Sequence, residues 1–161
     1  HLEGKHSNIN ISRAESANEM YKVVSSKFKN SDISIFAAAV SDYTSNEVAK
    51  NKIKKIGDSL TIDLSKTTDI LSEMGNRKKD NQFVVGFALE IENEFENAKL
   101  KLERKNLDMI VLNSLNNKGA GFEHNTNQVT IIDKQNNIKN FELKDKIEVA
   151  KDIVQQIIEL S

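Results

Sequence analysis

The spacing of apolar residues changes several times along the chain, and each change predicts an element. Met20, Val23, Val24 and Phe28 recur at the three- and four-residue intervals of one helix face. Just upstream, Ser16-Ala17-Asn18-Glu19 has the form of a capping box, in which the serine hydroxyl accepts from the amide three residues on and the glutamate reaches back. Asp32 to Val40 is short and almost wholly apolar, the pattern of a strand buried on both faces. A polar stretch from Ser41 to Ser59 follows, and then Leu60, Ile62 and Leu64 alternate as a strand would. Thr67 or Thr68 can cap a helix carrying Ile70, Leu71 and Met74. Phe83 to Leu89 reads as a second buried strand, interrupted by Gly86, and Met109 to Leu112 as a third, ending at Asn113. Between these two, Asn93 to Asn106 has helical spacing, with Phe95, Ala98 and Leu102 on its stripe. Val129 to Ile132 and Ile138 to Leu143, joined around Asn136-Asn137, form a β-hairpin. Asp145 can cap a closing helix with Ile147, Ala150, Ile153, Val154 and Ile157 on one face.

Helices therefore alternate with strands too apolar to be solvated on either side. That order predicts an α/β fold, a mostly parallel sheet covered by helices on both faces, with the C-terminal hairpin at an edge. In such sheets ligands bind beyond the carboxyl ends of the strands. Functional residues are thus expected just after Val40, Leu89 and Leu112.

Composition narrows the chemistry. The chain has 161 residues, with 23 Lys and Arg against 24 Asp and Glu. This balance argues against nucleic-acid or polybasic membrane binding, both of which need charge of one sign. The length fits one domain, read as 16–161 after a ragged start or linker over 1–15; His1-Leu2-Glu3-Gly4 has the look of a processing or cloning remnant. Without cysteine there is no disulfide framework, thiolate nucleophile or Cys-rich zinc site. The longest apolar run, Ile35 to Val40, is far short of the ~20 residues that span a bilayer. With no signal-peptide pattern either, a cytoplasmic protein is the default. His1 and His6 lie in the ragged start and His124 stands alone, so metal-ligand spacing and a Ser-His-Asp triad find no support. Neither GxGxxG nor a P-loop occurs, and Gly119-Ala120-Gly121 is a weak signal alone.

Three features at strand ends remain. Asp42, in Val40-Ser41-Asp42-Tyr43, is either a turn former or a carboxylate facing the crevice, able to take a ribose hydroxyl or a metal-bound water. Asn51-Lys52-Ile53-Lys54-Lys55 is either a solvated cluster or a group of cations that meets a polyphosphate. With isolated Gly57 and few apolar anchors nearby, it reads as a mobile flap. Lys101 and Lys105 stack at i, i+4 with Arg104 beside them, whereas Lys99 and Glu103 form an ordinary solvated pair. Like-charge pairs of this kind cost about a few tenths of a kcal/mol unless an anion compensates. Together these features point toward a phosphate-rich ligand without identifying it.

Five blocks in order carry a family resemblance. Ala37-Ala38-Ala39-Val40-Ser41-Asp42-Tyr43, Lys52-Ile53-Lys54-Lys55, Lys66-Thr67-Thr68-Asp69-Ile70-Leu71, Val85-Gly86-Phe87-Ala88 and Arg104-Lys105-Asn106-Leu107-Asp108 resemble successive motifs of phosphopantothenate–cysteine ligase. The match runs from about Ser16 to the C-terminus with the motif spacings kept. The resemblance implies a Rossmann-like three-layer sandwich and a CTP- and Mg²⁺-dependent ligase of coenzyme A synthesis. In that reaction the carboxylate of 4′-phosphopantothenate attacks the α-phosphate of CTP, and cysteine then displaces CMP from the acyl-cytidylate. It further implies that Phe36, Ala37 and Ala38 line the nucleotide, and that Asp42 contacts the nucleotide or its metal. Lys52 would be the catalytic flap lysine on the phosphates. Thr68, Asp69, Ile70 and Leu71 would hold the nucleotide at a helix N-terminus, Phe87 would pack on base or ribose, and Lys101 and Lys105 would complete the anion site. Asn113 joins them by its position at the third strand end.

The family is commonly a homodimer and in bacteria is often fused to an upstream flavin-dependent decarboxylase. Two departures stand out. Thr68 replaces a usual proline, and the family's opening βα unit, whose Asn-x-x-Ser-Ser-Gly turn carries a catalytic asparagine, has no counterpart before Ser16. On that reading the isolated piece is expected to be inactive. The competing readings are a non-catalytic nucleotide-binding or assembly module and a Rossmann oxidoreductase.

Overall fold

The computed structural model describes residues 6–47, 49, 51–54, 59–114 and 124–161. In chain order the elements are α1 (Ala17–Phe28), β1 (Ile33–Phe36), β2 (Tyr43–Ser45), β3 (Leu64–Lys66), α2 (Ile70–Arg77), β4 (Phe83–Glu90), α3 (Glu94–Arg104), β5 (Met109–Ser114), β6 (Thr126–Asn127), β7 (Val129–Asp133), β8 (Ile138–Asn140), β9 (Lys144–Asp145) and α4 (Lys146–Leu160). They fall into two compact units, one formed by His1–Lys27 with Ala39–Ile70, the other by Phe28–Ala38 with Leu71–Ser161.

The first unit holds most of α1 and the β2–β3 hairpin. The cap predicted for α1 forms, since Ser16 Oγ accepts the Glu19 N–H at 3.2 Å. The glutamate reaches one residue further back than a capping box requires, accepting the Glu15 N–H at 2.9 Å. β2 and β3 pair antiparallel, Tyr43 opposite Lys66 and Ser45 opposite Leu64. The strand expected from the alternation of Leu60, Ile62 and Leu64 therefore begins only at Leu64, and its partner lies inside the stretch read as a polar loop. All three leucine and isoleucine side chains are exposed, so the alternation there reflects no buried face.

The second unit is the α/β body. Its five-stranded sheet runs β1-β4-β5-β7-β8. β1, β4 and β5 are parallel, and β7 and β8 complete the sheet antiparallel to their neighbours. Strand alternation sorts the side chains between two faces. Phe83, Val85, Met109, Val111, Val129 and Ile131 pack with Val149, Ile153 and Ile157 of α4. Val84, Ala88, Ile110 and Leu112 point the other way and are buried on the side of α2 and α3. Gly86 belongs to this second face and does not interrupt β4. A Cβ there would lie 2.7 Å from Leu107 Cδ1 and 2.9 Å from Leu71 Cδ2, so the missing side chain lets both leucines close on the strand.

Three expectations about burial are corrected. β1 is not buried on both faces: it ends at Phe36 and lies at the edge of the sheet order, and Ile33 and Ile35 are 45% and 47% exposed. Phe95 leaves the α3 stripe and is exposed, while Ala98 and Leu102 are buried as expected. The buried face of α4 is Val149, Ile153, Gln156 and Ile157, rotated from the predicted one, so that Ile147 and Val154 are 72% and 49% exposed. Asp145 occupies the cap of α4 without a side-chain capping bond.

A buried carboxylate joins the amino ends of the strands. Asp108, 4% exposed, accepts the Val84 N–H on Oδ2 at 2.8 Å and pairs there with Lys78 at 2.7 Å. Its Oδ1 meets Lys134 at 3.3 Å, and its backbone carbonyl accepts the Lys134 N–H at 3.0 Å. One residue thus links β4, β5, the segment after α2 and the β7–β8 turn. Nearby, α2 and α3 approach so closely that a Cβ on Gly75 would fall 1.9 Å from the Lys105 carbonyl oxygen. Asn106, with φ of 50°, turns the chain and donates to the Gly75 carbonyl at 2.8 Å.

Removing Asp108 leaves the mostly buried Lys78 ammonium without its partner. Asp108→Ala is expected to lower unfolding stability by about 3–5 kcal/mol, as for a broken buried pair. Lys134→Ala, at the exposed end of the same network, should cost at most about 1 kcal/mol. Urea unfolding of both variants checks the contrast, and equal small losses would contradict the role given to Asp108.

Candidate functional site

In the second unit, the carboxyl ends of β1, β4 and β5 lie side by side. β1 stops at Phe36, opposite Gly86, and Ala37 and Ala38 continue as exposed, non-strand backbone. β4 runs on to Glu90 without β1 beside it. Lys101 of α3 reaches this edge and donates from Nζ to the Phe87 carbonyl at 2.8 Å. The Phe87 ring lies against the core cluster on the α4 side, partly buried. Lys101 and Phe87 are therefore brought together, through the strand backbone and not through the ring.

Lys105 is placed differently. It is the C-cap of α3, its backbone packed beside Gly75 and only three residues before Asp108. Its main chain thus belongs to the amino end of the sheet, one helical turn beyond Lys101.

Residues that no short-range pattern singles out fasten the start of α3 to the strand ends. Asn97 donates from Nδ2 to Glu90 at 3.2 Å and to the Glu92 carbonyl at 2.9 Å. Ser114 Oγ donates to Glu94 at 2.6 Å. At the end of β5, Asn113 accepts on Oδ1 from Asn127 Nδ2 at 3.0 Å. The sequence signal for these contacts is only that polar residues replace apolar ones where β4 and β5 end.

In the first unit, the hairpin brings two of the sequence blocks together. The Thr67 N–H donates to the Asp42 carbonyl at 2.9 Å, and Thr67 Oγ1 donates to the Ser41 carbonyl at 2.6 Å. Ser41 Oγ in turn donates to the Tyr43 carbonyl at 2.8 Å. Asp42 is exposed and stands beside Thr67, followed by exposed Thr68 and Asp69 and then by Ile70, where α2 begins. In the second unit, Leu71 packs toward Gly86 with its side chain, which leaves its backbone amide as the group that can face a ligand. Lys52 and Lys54 are exposed, whereas Lys55 and Gly57, like Gly119-Ala120-Gly121 and the first residues, lie outside the described residues.

The polar groups suit an anion. Backbone amides at the start of α2 carry the positive end of the helix dipole, and exposed lysines supply mobile charge. Among the described residues, no group of three His, Cys, Asp or Glu side chains could hold a metal ion by itself. A Mg²⁺ with one protein carboxylate and its remaining ligands from phosphate oxygens and water fits this donor set, with Asp42 as the carboxylate. A cavity of about 610 Å³ lies elsewhere, at the amino ends of the strands, lined by Lys78, Gln82, Asp108 and Lys134 among others. Lys78 and Lys134 are both paired with Asp108 there, which makes that hollow part of the structural network.

A Rossmann-like α/β domain with polar strand ends is the class these features define. The chain belongs to the DNA/pantothenate metabolism flavoprotein C-terminal domain family, which it matches over residues 1–160. It is 53% identical over 152 residues to a cysteine/cysteine sulfinic acid decarboxylase from an unknown prokaryotic organism, covering 94% of this chain and 42% of that protein. It is 43% identical over 152 residues to the coenzyme A biosynthesis bifunctional protein CoaBC of Haemophilus influenzae, covering 94% of this chain and 38% of that one. Among solved structures, the C-terminal domain of a CoaBC protein superposes with a TM-score of 0.71 at 35% identity, over 89% of this chain and 62% of that one. The chain thus spans less than half the length of these curated relatives. Among the described residues no helix is long and apolar enough to cross a membrane.

Thr67 is the residue through which the hairpin holds Asp42. Thr67→Val keeps the shape and deletes the bond to Ser41, a loss of about 1 kcal/mol. Amide hydrogen exchange at Tyr43–Ser45 and Leu64–Lys66 should accelerate about fivefold. Unchanged exchange would show that the hydroxyl does not secure the hairpin.

Proposed function

We propose that this chain is the nucleotide-activating portion of a phosphopantothenate–cysteine ligase in coenzyme A synthesis. The observation that carries the reading is the register of the family blocks with the structure. The Asp42 carbonyl meets the amide of Thr67, the residue before Thr68 and Asp69, and Lys101 meets the Phe87 carbonyl, in each case joining two separate blocks. The names of the CoaBC relatives support the same pathway. CTP is the co-substrate, and 4′-phosphopantothenate and cysteine are the acid and amine joined. CTP supplies the chemistry that the carboxylate lacks, a stable leaving group in CMP.

The chain's own residues then have defined tasks. Phe36, Ala37 and Ala38 offer backbone groups to the nucleotide, and the amides of Thr68 to Leu71 hold it at the start of α2. Asp42 takes a ribose hydroxyl or a water of nucleotide-bound Mg²⁺. Lys52 meets the phosphates and offsets the charge that develops when an anion attacks them. Lys101 adds its charge from beside Phe87, and Lys105 contributes through its longer-range field. The protein acts in the cytoplasm as a homodimer, alongside a flavin-dependent decarboxylase domain, as the family resemblance implies. Cysteine, named in the activity of the 53% identical relative, is also the amine of this ligation.

CTP with Mg²⁺ should raise the melting temperature of the protein more than ATP with Mg²⁺. Equal shifts, or a larger one with ATP, would overturn the choice of nucleotide. In a ligase assay of the complete enzyme, Lys52→Gln should slow acyl-cytidylate formation at least tenfold, roughly 1.4 kcal/mol in the barrier. Lys99→Gln, elsewhere on α3, should leave it nearly unchanged, and similar losses in both would mean that only bulk charge matters.

A further inference from the structure

The Asn127–Asn113 pair has a polarity set by the backbone. The Gln128 N–H donates to Asn127 Oδ1 at 3.0 Å. A backbone N–H can only donate, so the oxygen of Asn127 is committed to it and its NH2 group faces the other way. That NH2 group lies 3.0 Å from Asn113, which must therefore answer with its own oxygen. Nothing else among the described residues bonds to the Asn113 side chain, so its NH2 group keeps two N–H donors to give.

Both residues are held where they stand. Asn113 is the next-to-last residue of β5, paired with Leu89 on one side and Val129 on the other. Asn127 sits in β6, opposite Lys144 of β9. Both side chains are partly buried, so neither turns freely in water.

We propose that Asn127 is a positioning residue that turns the Asn113 amide so that this side chain presents only N–H donors at the end of β5, selecting a ligand oxygen acceptor there. This rests on the reading of the chain as a CTP-binding ligase. Within it, the acceptor is an oxygen of the nucleotide, either a phosphate oxygen or the pyrimidine carbonyl. Two fixed N–H donors donate to either oxygen and reject a group that itself donates.

Asn127→Asp is nearly isosteric and reverses the polarity. Its carboxylate accepts from Gln128 and also from Asn113, so the Asn113 NH2 group turns inward and its oxygen faces the ligand. Calorimetric titration with CTP and Mg²⁺ should show at least tenfold weaker binding. Asn127→Leu adds no charge and frees the amide to take either orientation, so about threefold weaker binding is expected. Cytidine and inorganic triphosphate, titrated separately, identify which oxygen is read, because only the relevant one loses affinity in the Leu variant. The readout in the free wild-type protein is the side-chain amide NMR signal. The Asn127 NH2 protons should exchange with water more slowly than those of Asn113, and the Asn113 signal should move when CTP is added.

Unchanged CTP affinity in both variants would overturn the proposal, as would an Asn113 amide better protected than that of Asn127. Should the wild type bind neither CTP nor its parts, the ligase reading fails, and the exchange rates still decide the orientation of the pair.

Discussion

A buried carboxylate governs this structure. Buried Asp108 has to be neutralised where it lies, just before β5, and the neutralising groups come from three places in the chain: Lys78 after α2, the Val84 amide in β4 and Lys134 in the β7–β8 turn. Burying a charge is costly unless it is paired and hydrogen-bonded, so these segments are compelled to converge. Their convergence sets the register of β4 on β5 and brings β7 alongside. Once the amino ends are fixed, parallel strands of unequal length must stop at different heights at the other end. β1 stops at Phe36 while β4 continues to Glu90, which exposes the Phe87 carbonyl to Lys101.

The two ends of the sheet accordingly have opposite characters. At the amino end, charges are matched within the protein and helices α2 and α3 close until Gly75 touches the Lys105 carbonyl. At the carboxyl end, polar groups are held by the fold but not used up by it. Asn113 keeps its NH2 group, and Asn97, Glu90, Glu94 and Ser114 lock the start of α3 in place. The hairpin of the other unit behaves in the same way, with its backbone bonds complete while the Asp42 carboxylate stays exposed. Positioning without neutralisation is what the proposed binding of a Mg²⁺-nucleotide requires, with Asp42 meeting the cation side and N–H donors the phosphate side.

Much of this was legible from the order of residues, for identifiable reasons. The start of α1 could be read because Ser16 and Glu19 act within one turn, and β5 because an unbroken apolar run leaves no other placement. The edge position of β1 could not, since apolarity reports what a strand can bury and not which neighbours it has. α4 carries two overlapping apolar stripes, and only packing chooses Val149 and Gln156 over Ile147 and Val154. β2 is too short and too polar to have a period of its own and exists because β3 pairs with it. The site blocks were recognisable as motifs. That Lys101 meets the Phe87 backbone, that the Lys105 main chain packs beside Gly75, and that Asn127 governs Asn113 depend on contacts between segments distant in sequence.

Nucleotide binding is expected at the polar groups that each unit holds ready and not at the self-neutralised end. Backbone and side-chain NMR shifts on titration with CTP and Mg²⁺ test it most directly. Large changes are expected at Ala37, Ala38, Asp42, Thr68 to Leu71, Phe87 and Asn113, with Lys78, Gln82 and Lys134 unmoved. Changes centred on Lys78, Asp108 and Lys134 with a quiet Asn113 would contradict it.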